Sequence, residues 1–274
     1  MNSKIKATLL ILLMGVILIA LVGCGVPSEA KRERKLKKLL SDKYGEEFEV
    51  RELNANSGVH AWCYPVNDPS LIFEMSTPTK MDSITGDDYL QCIVERQLNE
   101  FFQPLAEEAF GDDCIVSTNI PLGATSSINN PNPQEIDLDS LLEYIHTNGF
   151  SDRFFLIIFC NNDGEYNDVN EYEFISRVGQ MYIDGEMPYM ILRIYAGDET
   201  FLDSVKVALN EYGWTIALGS DSRWDVNDII KEKREILIHY YEDGSPYTHI
   251  RELDLKEDLT LEKYSELRKE INVQ

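Results

Sequence analysis

The sequence predicts an α+β fold, on three observations. Apolar residues recur at helical spacing in several segments, and short runs bounded by turn residues predict strands between them. One unbroken apolar run, Phe154–Phe159, predicts a strand buried on both faces. Because 43 % of the 274 residues are hydrophobic, the composition excludes general disorder. We expect an N-terminal α-β-β-β-α-β meander packed on helices, and a mixed α/β second half with a C-terminal hairpin and a closing helix.

The first half contains two helices and four strands. The predicted elements are helix 29–44, ended by Gly45, strands Glu47–Asn54, Val59–Pro65 and Leu71–Ser76, helix Asp88–Phe110, and strand Cys114–Ile120. The apolar face of the long helix carries Leu90, Ile93, Val94, Leu98, Phe101, Phe102 and Leu105. Cys92 falls opposite that face, so its thiol is either covered by another segment or available for chemistry.

A stretch rich in Pro, Asn, Gly and Ser, residues 121–136, is the best candidate boundary between an N-terminal module, 31–120, and a C-terminal module, 137–274. A long surface loop within one domain explains it equally well. The elements predicted beyond it are helix Asp137–Thr147, strand Phe154–Phe159, helix Val169–Ile183, strand Met190–Tyr195, helix Glu199–Tyr212 with Asp198 as N-cap, a hairpin over 234–253, and helix Leu261–Ile271. Their alternation indicates a βαβ unit with parallel strands.

The start of the chain is typical of an exported protein. Lys4 and Lys6 precede an apolar run that closes on Leu21-Val22-Gly23-Cys24. This tetrapeptide resembles the lipobox of bacterial lipoproteins, in which the cysteine thiol is acylated before cleavage. The resemblance implies a signal peptide over 1–23, a lipid anchor at Cys24 with a tether to residue 30, and a location on the extracytoplasmic face of the cell membrane. The alternative is an uncleaved transmembrane helix, since the uncharged run from residue 7 to 28 is long enough to span a bilayer.

The charge of the chain changes sign after its first predicted helix begins. Six basic residues stand close together: Lys31, Arg32, Arg34, Lys35, Lys37 and Lys38. They can attract anionic headgroups, or simply form the solvated face of a helix, and the two are compatible. Residues 39–274, by contrast, contain 17 Lys or Arg against 46 Asp or Glu. That acidic body argues against nucleic acid as a partner and should stand away from an anionic membrane.

Four cysteines remain once Cys24 is assigned to the anchor: Cys63, Cys92, Cys114 and Cys160. An even number in an exported chain makes all four disulfide candidates, with three possible pairings that the sequence does not distinguish. The alternative is a set of buried free thiols, which behave as small hydrophobic side chains.

The predicted hairpin brings two histidines together. Folding the chain about Gly244 pairs Ile238 with Ile250 and places His239 directly opposite His249, near several tyrosines. Two imidazoles could hold a transition metal if a carboxylate joined them, but no third ligand is identifiable. We therefore predict no metal site here, and interpret the face as an exposed aromatic and polar surface suited to a protein or glycan contact.

Motifs of catalysis are absent from the sequence. It contains no glycine-rich phosphate loop, no H-E-x-x-H and no G-x-S-x-G, so we assign no catalytic residue and expect no cofactor. The leading hypothesis is a membrane-anchored, non-enzymatic lipoprotein whose acidic body contacts an extracytoplasmic protein or glycan. The alternatives are a transporter-associated lipoprotein that captures a ligand between two halves, and an enzyme of unrecognised type.

Overall fold

The computed structural model describes residues 29–55, 58–120, 154–161, 167–184, 190–212, 230, 235–250 and 255–271. The α+β class is confirmed. The elements run in the order α1 Glu29–Tyr44, β1 Phe48–Asn54, β2 Val59–Pro65, β3 Phe73–Thr77, β4 Gly86–Asp87, α2 Tyr89–Phe110, β5 Ile115–Asn119, β6 Phe154–Asn161, α3 Asp168–Ile183, β7 Met190–Gly197, α4 Glu199–Tyr212, β8 Glu235–Tyr240, β9 Pro246–Ile250, β10 Leu255–Asp258 and α5 Leu261–Ile271. The signal segment, the predicted boundary 121–136 and the predicted helix Asp137–Thr147 lie outside the described residues.

The first sheet is an antiparallel meander in the order β1-β2-β3-β4. Helix α1 packs on it through Leu36, Leu40 and Tyr44, which are spaced at four residues and therefore lie on one side of the helix. The helix ends at Gly45, whose φ of 76° suits a residue without a side chain. This arrangement fixes which side of α1 faces the body and which faces outward.

The second sheet has six strands in the order β10-β9-β8-β7-β6-β5. Its one parallel pair in the described sheet, β6 with β7, is joined through α3, which confirms the predicted βαβ unit. Alternate residues of β6 point to opposite faces: Leu156 and Ile158 enter the core shared with α2, α3 and α5, and Ile157 and Phe159 enter the core covered by α4. Helices on both faces explain why the β6 sequence is apolar without alternation.

Helix α2 contributes to two hydrophobic cores. Tyr89 and Cys92 pack in the core of the first sheet, whereas Val94, Leu98 and Phe102 pack in the core of the second. The single apolar face predicted for this helix is therefore incomplete. In chain order the two sheets divide between β4 and β5, and α2 lies between these two strands and packs in both cores. Strand β5, before residues 121–136, pairs with β6 after them.

A polar row on α2 lies along the edge of β5 that does not pair with β6. The row is Gln91, Glu95, Asn99 and Gln103, at a spacing of four. The Gln103 amide donates to Cys114 O at 2.9 Å and accepts from Val116 N at 3.1 Å, and Glu95 Oε1 accepts from Ile120 N at 3.0 Å. Gln103 and Glu95 thus occupy backbone groups that an edge strand would otherwise offer to another chain.

Candidate functional site

Helix α1 presents a row of basic side chains on its outer face. Lys31, Arg34 and Lys38 are exposed, on the side opposite to the residues that pack on the first sheet. We call these three residues the basic stripe. Arg34 donates to Ala30 O at 3.2 Å and Lys38 pairs with Asp42, so both contacts lie within the helix. The Lys38 side chain is 72 % exposed, and an ion pair in that setting contributes little to stability.

Two other residues of the predicted membrane tract bind the body of the protein. Lys35 Nζ donates to Lys80 O at 2.6 Å, which holds the loop before β4. Lys37 forms an ion pair with Glu49 of β1. Five of the six basic residues therefore differ in their contacts, and the sixth, Arg32, is half-buried. The contact of this tract with a membrane surface stays a prediction.

The hairpin of β8 and β9 has a different register from the predicted one. Tyr240 pairs with Pro246, Ile238 with Thr248, and His239 with Tyr247, a shift of two residues. The predicted direct pair of His239 with His249 is wrong. The cause is the turn: Gly244 N donates to Tyr241 O at 2.9 Å and Gly244 has a φ of 73°, so the turn centres on the residue before Gly244.

A shift of two residues keeps both histidines on the same face of the sheet. Their ring centroids lie 5.4 Å apart, and the His239 ring stacks on Tyr247 at 5.4 Å. His239 and Tyr247 are only 6 % and 5 % exposed, so the exposed aromatic surface predicted for this hairpin is wrong at its centre. Among the described residues, no group of three or more His, Cys, Asp or Glu side chains is arranged to hold a metal ion.

All four body cysteines are buried and are in the reduced, thiol form in the structure. Cys92 lies under the segment before β3, where its Sγ is 3.7 Å from Ile72 O, so the thiol is covered rather than available at the surface. Cys63 packs in the same core, and Cys114 and Cys160 pack together in the other. Burial raises the pKa of Cys63, Cys114 and Cys160 to about 12, which leaves them protonated at neutral pH.

A buried ion pair that we did not predict from the sequence joins α3 to α5. Arg268 Nε donates to Glu171 Oε2 at 2.7 Å and Arg268 Nη2 donates to Glu171 Oε1 at 2.8 Å. The Tyr264 hydroxyl also donates to Glu171. Glu171 and Arg268 are at most 1 % exposed, and the Glu171 carboxylate raises the pKa of Arg268 further above its usual range. This cluster fastens the last helix to the core.

A local signal could have revealed this pair. Glu171 lies on the same helical side as Phe174, Ile175 and Val178, so a charged residue stands in line with core positions. Arg268 lies one turn after buried Tyr264 in the same way. Two core-facing charges of opposite sign on two amphipathic helices predict a buried pair.

Of the described residues, none belongs to a helix that is both long and apolar enough to cross a bilayer. The predicted lipidation site, Cys24, lies before the first described residue. The chain resembles one solved structure in fold, a DUF5037 family protein from Ruminococcus gnavus ATCC 29149. The match covers 86 % of this chain and 98 % of that one, with a TM-score of 0.56 and 18 % identity. No family model matches the chain, and no curated protein does. The likeness extends to the fold and, at this identity, to nothing more specific.

Proposed function

We propose that the protein is a non-enzymatic binding lipoprotein, anchored through Cys24 to the extracytoplasmic face of a bacterial membrane. The observation that carries the proposal is the basic stripe. Helix α1 begins five residues after Cys24, and an extended chain of that length reaches at most about 18 Å. An anchor at Cys24 would therefore hold the outward face of α1 close to the headgroups.

Two signals would then act together at the membrane. The acyl chains of a lipidated Cys24 supply hydrophobic anchoring, and the basic stripe adds electrostatic attraction to anionic lipid. The rest of the chain is strongly acidic, so the membrane repels it. The anchored helix and the repelled body together would direct the acidic surface outward, where an extracytoplasmic protein or glycan is the partner that we propose.

The ligand-capturing alternative is less well supported. It requires two halves joined at residues 121–134 around a cleft. Helix α2, however, packs in both cores and lies before that segment, and β5 before it pairs with β6 after it. The described parts of the chain are thus interlocked across the supposed hinge, which does not favour two lobes that close on a ligand.

Replacing Cys24 by Ser should abolish lipidation and leave the precursor uncleaved. The wild-type protein should carry labelled fatty acid and have the mass of the cleaved form. The variant should carry no label and keep residues 1–23, whose apolar run would itself partition into detergent, so the label and the cleavage are the two readouts. The matched control is Cys92→Ser, which removes a thiol from the folded body and should leave lipidation and cleavage unchanged. Normal processing of Cys24→Ser would refute the anchor.

The basic stripe can be tested without disturbing the fold. We expect Lys31→Gln, Arg34→Gln and Lys38→Gln together to weaken binding of the lipid-free chain from residue 25 to vesicles of anionic phospholipid. At about 1 kcal/mol for each charge near the surface, the loss is on the order of 100-fold. Lys35 and Lys37 stay in place because they contact the body.

The control for this triple variant removes three exposed charges elsewhere. Arg177→Gln, Lys206→Gln and Lys269→Gln change the net charge equally but lie on α3, α4 and α5. Vesicle co-sedimentation should show much weaker binding for the stripe variant than for the control, and raised salt should reduce the difference. Equal binding of the two variants would show that the stripe is only a solvated helix face.

A further inference from the structure

The register of β5 and β6 brings two of the four body cysteines together. The pairing runs from Asn119 with Phe155 to Ile115 with Phe159. One further step in the same direction places Cys114 opposite Cys160. Both thiols lie in the core shared by α2, α3 and α5, so they point to the same face of the sheet.

The hydrogen bonds around Cys114 show whether Cys114 and Cys160 are a hydrogen-bonded or a non-hydrogen-bonded cross-strand pair. Cys114 O and Val116 N bond to the Gln103 side chain on α2, and Cys114 N donates to Gly111 O. The backbone groups of Cys114 therefore point away from β6, which makes Cys114 and Cys160 a non-hydrogen-bonded pair. In such pairs the Cα atoms are about 4.5 Å apart and the side chains approach closely. A disulfide accepts Cα separations of about 4.4–6.8 Å.

The surroundings hold both sulfur atoms in place. Gln103 Nε2 lies 3.8 Å from Cys114 Sγ. The Arg268 guanidinium, held by Glu171, makes a hydrogen bond to Cys160. Cys63 and Cys92 pack in the other core, so their thiols are separated from Cys114 and Cys160.

We propose that Cys114 and Cys160 form a cross-strand disulfide when the chain folds in an oxidising compartment. Two S–H bonds are lost and one S–S bond forms, and the two electrons and two protons pass to a small disulfide oxidant, which becomes two thiols. The proposal rests on the proposed export for its occurrence in cells. The bond would link β5 covalently to its neighbour β6 and close the chain between the two cysteines into a loop.

The timing of the bond follows from the burial of both thiols. In the folded, reduced protein the pKa of each is about 12, so the thiolate needed for exchange is scarce at neutral pH. Oxidation should thus accompany folding and be slow afterwards. The test must for this reason begin from the unfolded chain.

The full chain should be unfolded in denaturant with reductant, refolded with oxidised and reduced glutathione, alkylated and cut with trypsin. Each of the five cysteines then falls in its own fragment: Cys24 in 7–31, Cys63 in 52–80, Cys92 in 81–96, Cys114 in 97–153 and Cys160 in 154–177. We expect fragments 97–153 and 154–177 to be joined, with a mass about 2 Da below their sum. Recovery of both as separate alkylated fragments would overturn the proposal, and so would their joining to other fragments in preference.

A second measurement compares thermal unfolding of the refolded protein before and after reduction. Loss of the link should lower the midpoint by on the order of 5–10 °C. Cys114→Ser should show no such dependence on reductant, and Cys92→Ser should retain it. The same fragment analysis on protein extracted from cells tests export separately: a link formed on refolding but missing in cells would refute the exported location and leave the pairing intact.

Discussion

Replacing Arg268 by Met is expected to lower the free energy of unfolding by about 3–5 kcal/mol, the range for breaking a buried ion pair. The variant leaves the Glu171 carboxylate at 0 % exposure with its charge uncompensated. The Tyr264 hydroxyl remains as a donor, but it carries no charge. Denaturant unfolding followed by circular dichroism measures the change.

A double-mutant cycle separates the interaction free energy of the ion pair from the cost of leaving one buried charge without its partner. Glu171→Leu alone should be similarly damaging, whereas Glu171→Leu with Arg268→Met should lose much less than the sum of the two. Lys38→Met is the control, because its ion pair with Asp42 is exposed, and it should change stability by less than about 0.5 kcal/mol. Additive losses in the double variant would contradict the structural role that we assign to the pair.

Gly179→Ala should also be strongly destabilising, by about 3 kcal/mol, although alanine favours helices. A Cβ on Gly179 would lie 2.1 Å from Gly244 O and 2.9 Å from Tyr240 Cδ1. The nearest atom belongs to the backbone of the hairpin turn and cannot rotate away, so α3 and the hairpin must separate.

Gly58→Ala provides the comparison for this prediction. The atom closest to its added Cβ is Thr77 O at 3.6 Å, an ordinary contact, and the change should cost less than about 0.5 kcal/mol. Equal unfolding free energies for the Gly179 and Gly58 variants would mean that α3 does not approach the hairpin as closely as described.

Local patterns predicted most of the helices and strands. Helices α1, α4 and α5 have the predicted bounds, and Asp198 caps α4, since Phe201 N donates to its Oδ1 at 2.8 Å. These segments carry regular apolar spacing with clear start and stop residues. Strands β4 and β10 were missed because one has only two residues and the other, Leu-Lys-Glu-Asp, has almost no apolar alternation.

Contacts between distant parts of the chain were not predictable in the same way. Glu171 and Arg268 are 97 residues apart, and although each stands in line with core residues of its own helix, that spacing does not identify its partner. From the sequence alone, the polar row on α2 predicts a helix side that faces solvent. Only the structure shows that the edge of β5 lies against it. The predicted register of the hairpin was wrong because Gly244 adopts a left-handed backbone conformation at the end of the turn. This shifts the pairing by two residues and leaves each side chain on the predicted face of the sheet.

The proposed attachment to the membrane depends first on the lipid anchor at Cys24 and then on the outward basic stripe. Mass spectrometry of the N-terminal fragment of the wild-type protein, extracted from membranes with detergent, tests it most directly. We expect a mature chain that begins at Cys24 and carries a diacylglyceryl group on its thiol. A membrane-bound chain that still begins at Met1, or a chain beginning at Cys24 with an unmodified thiol, would contradict it.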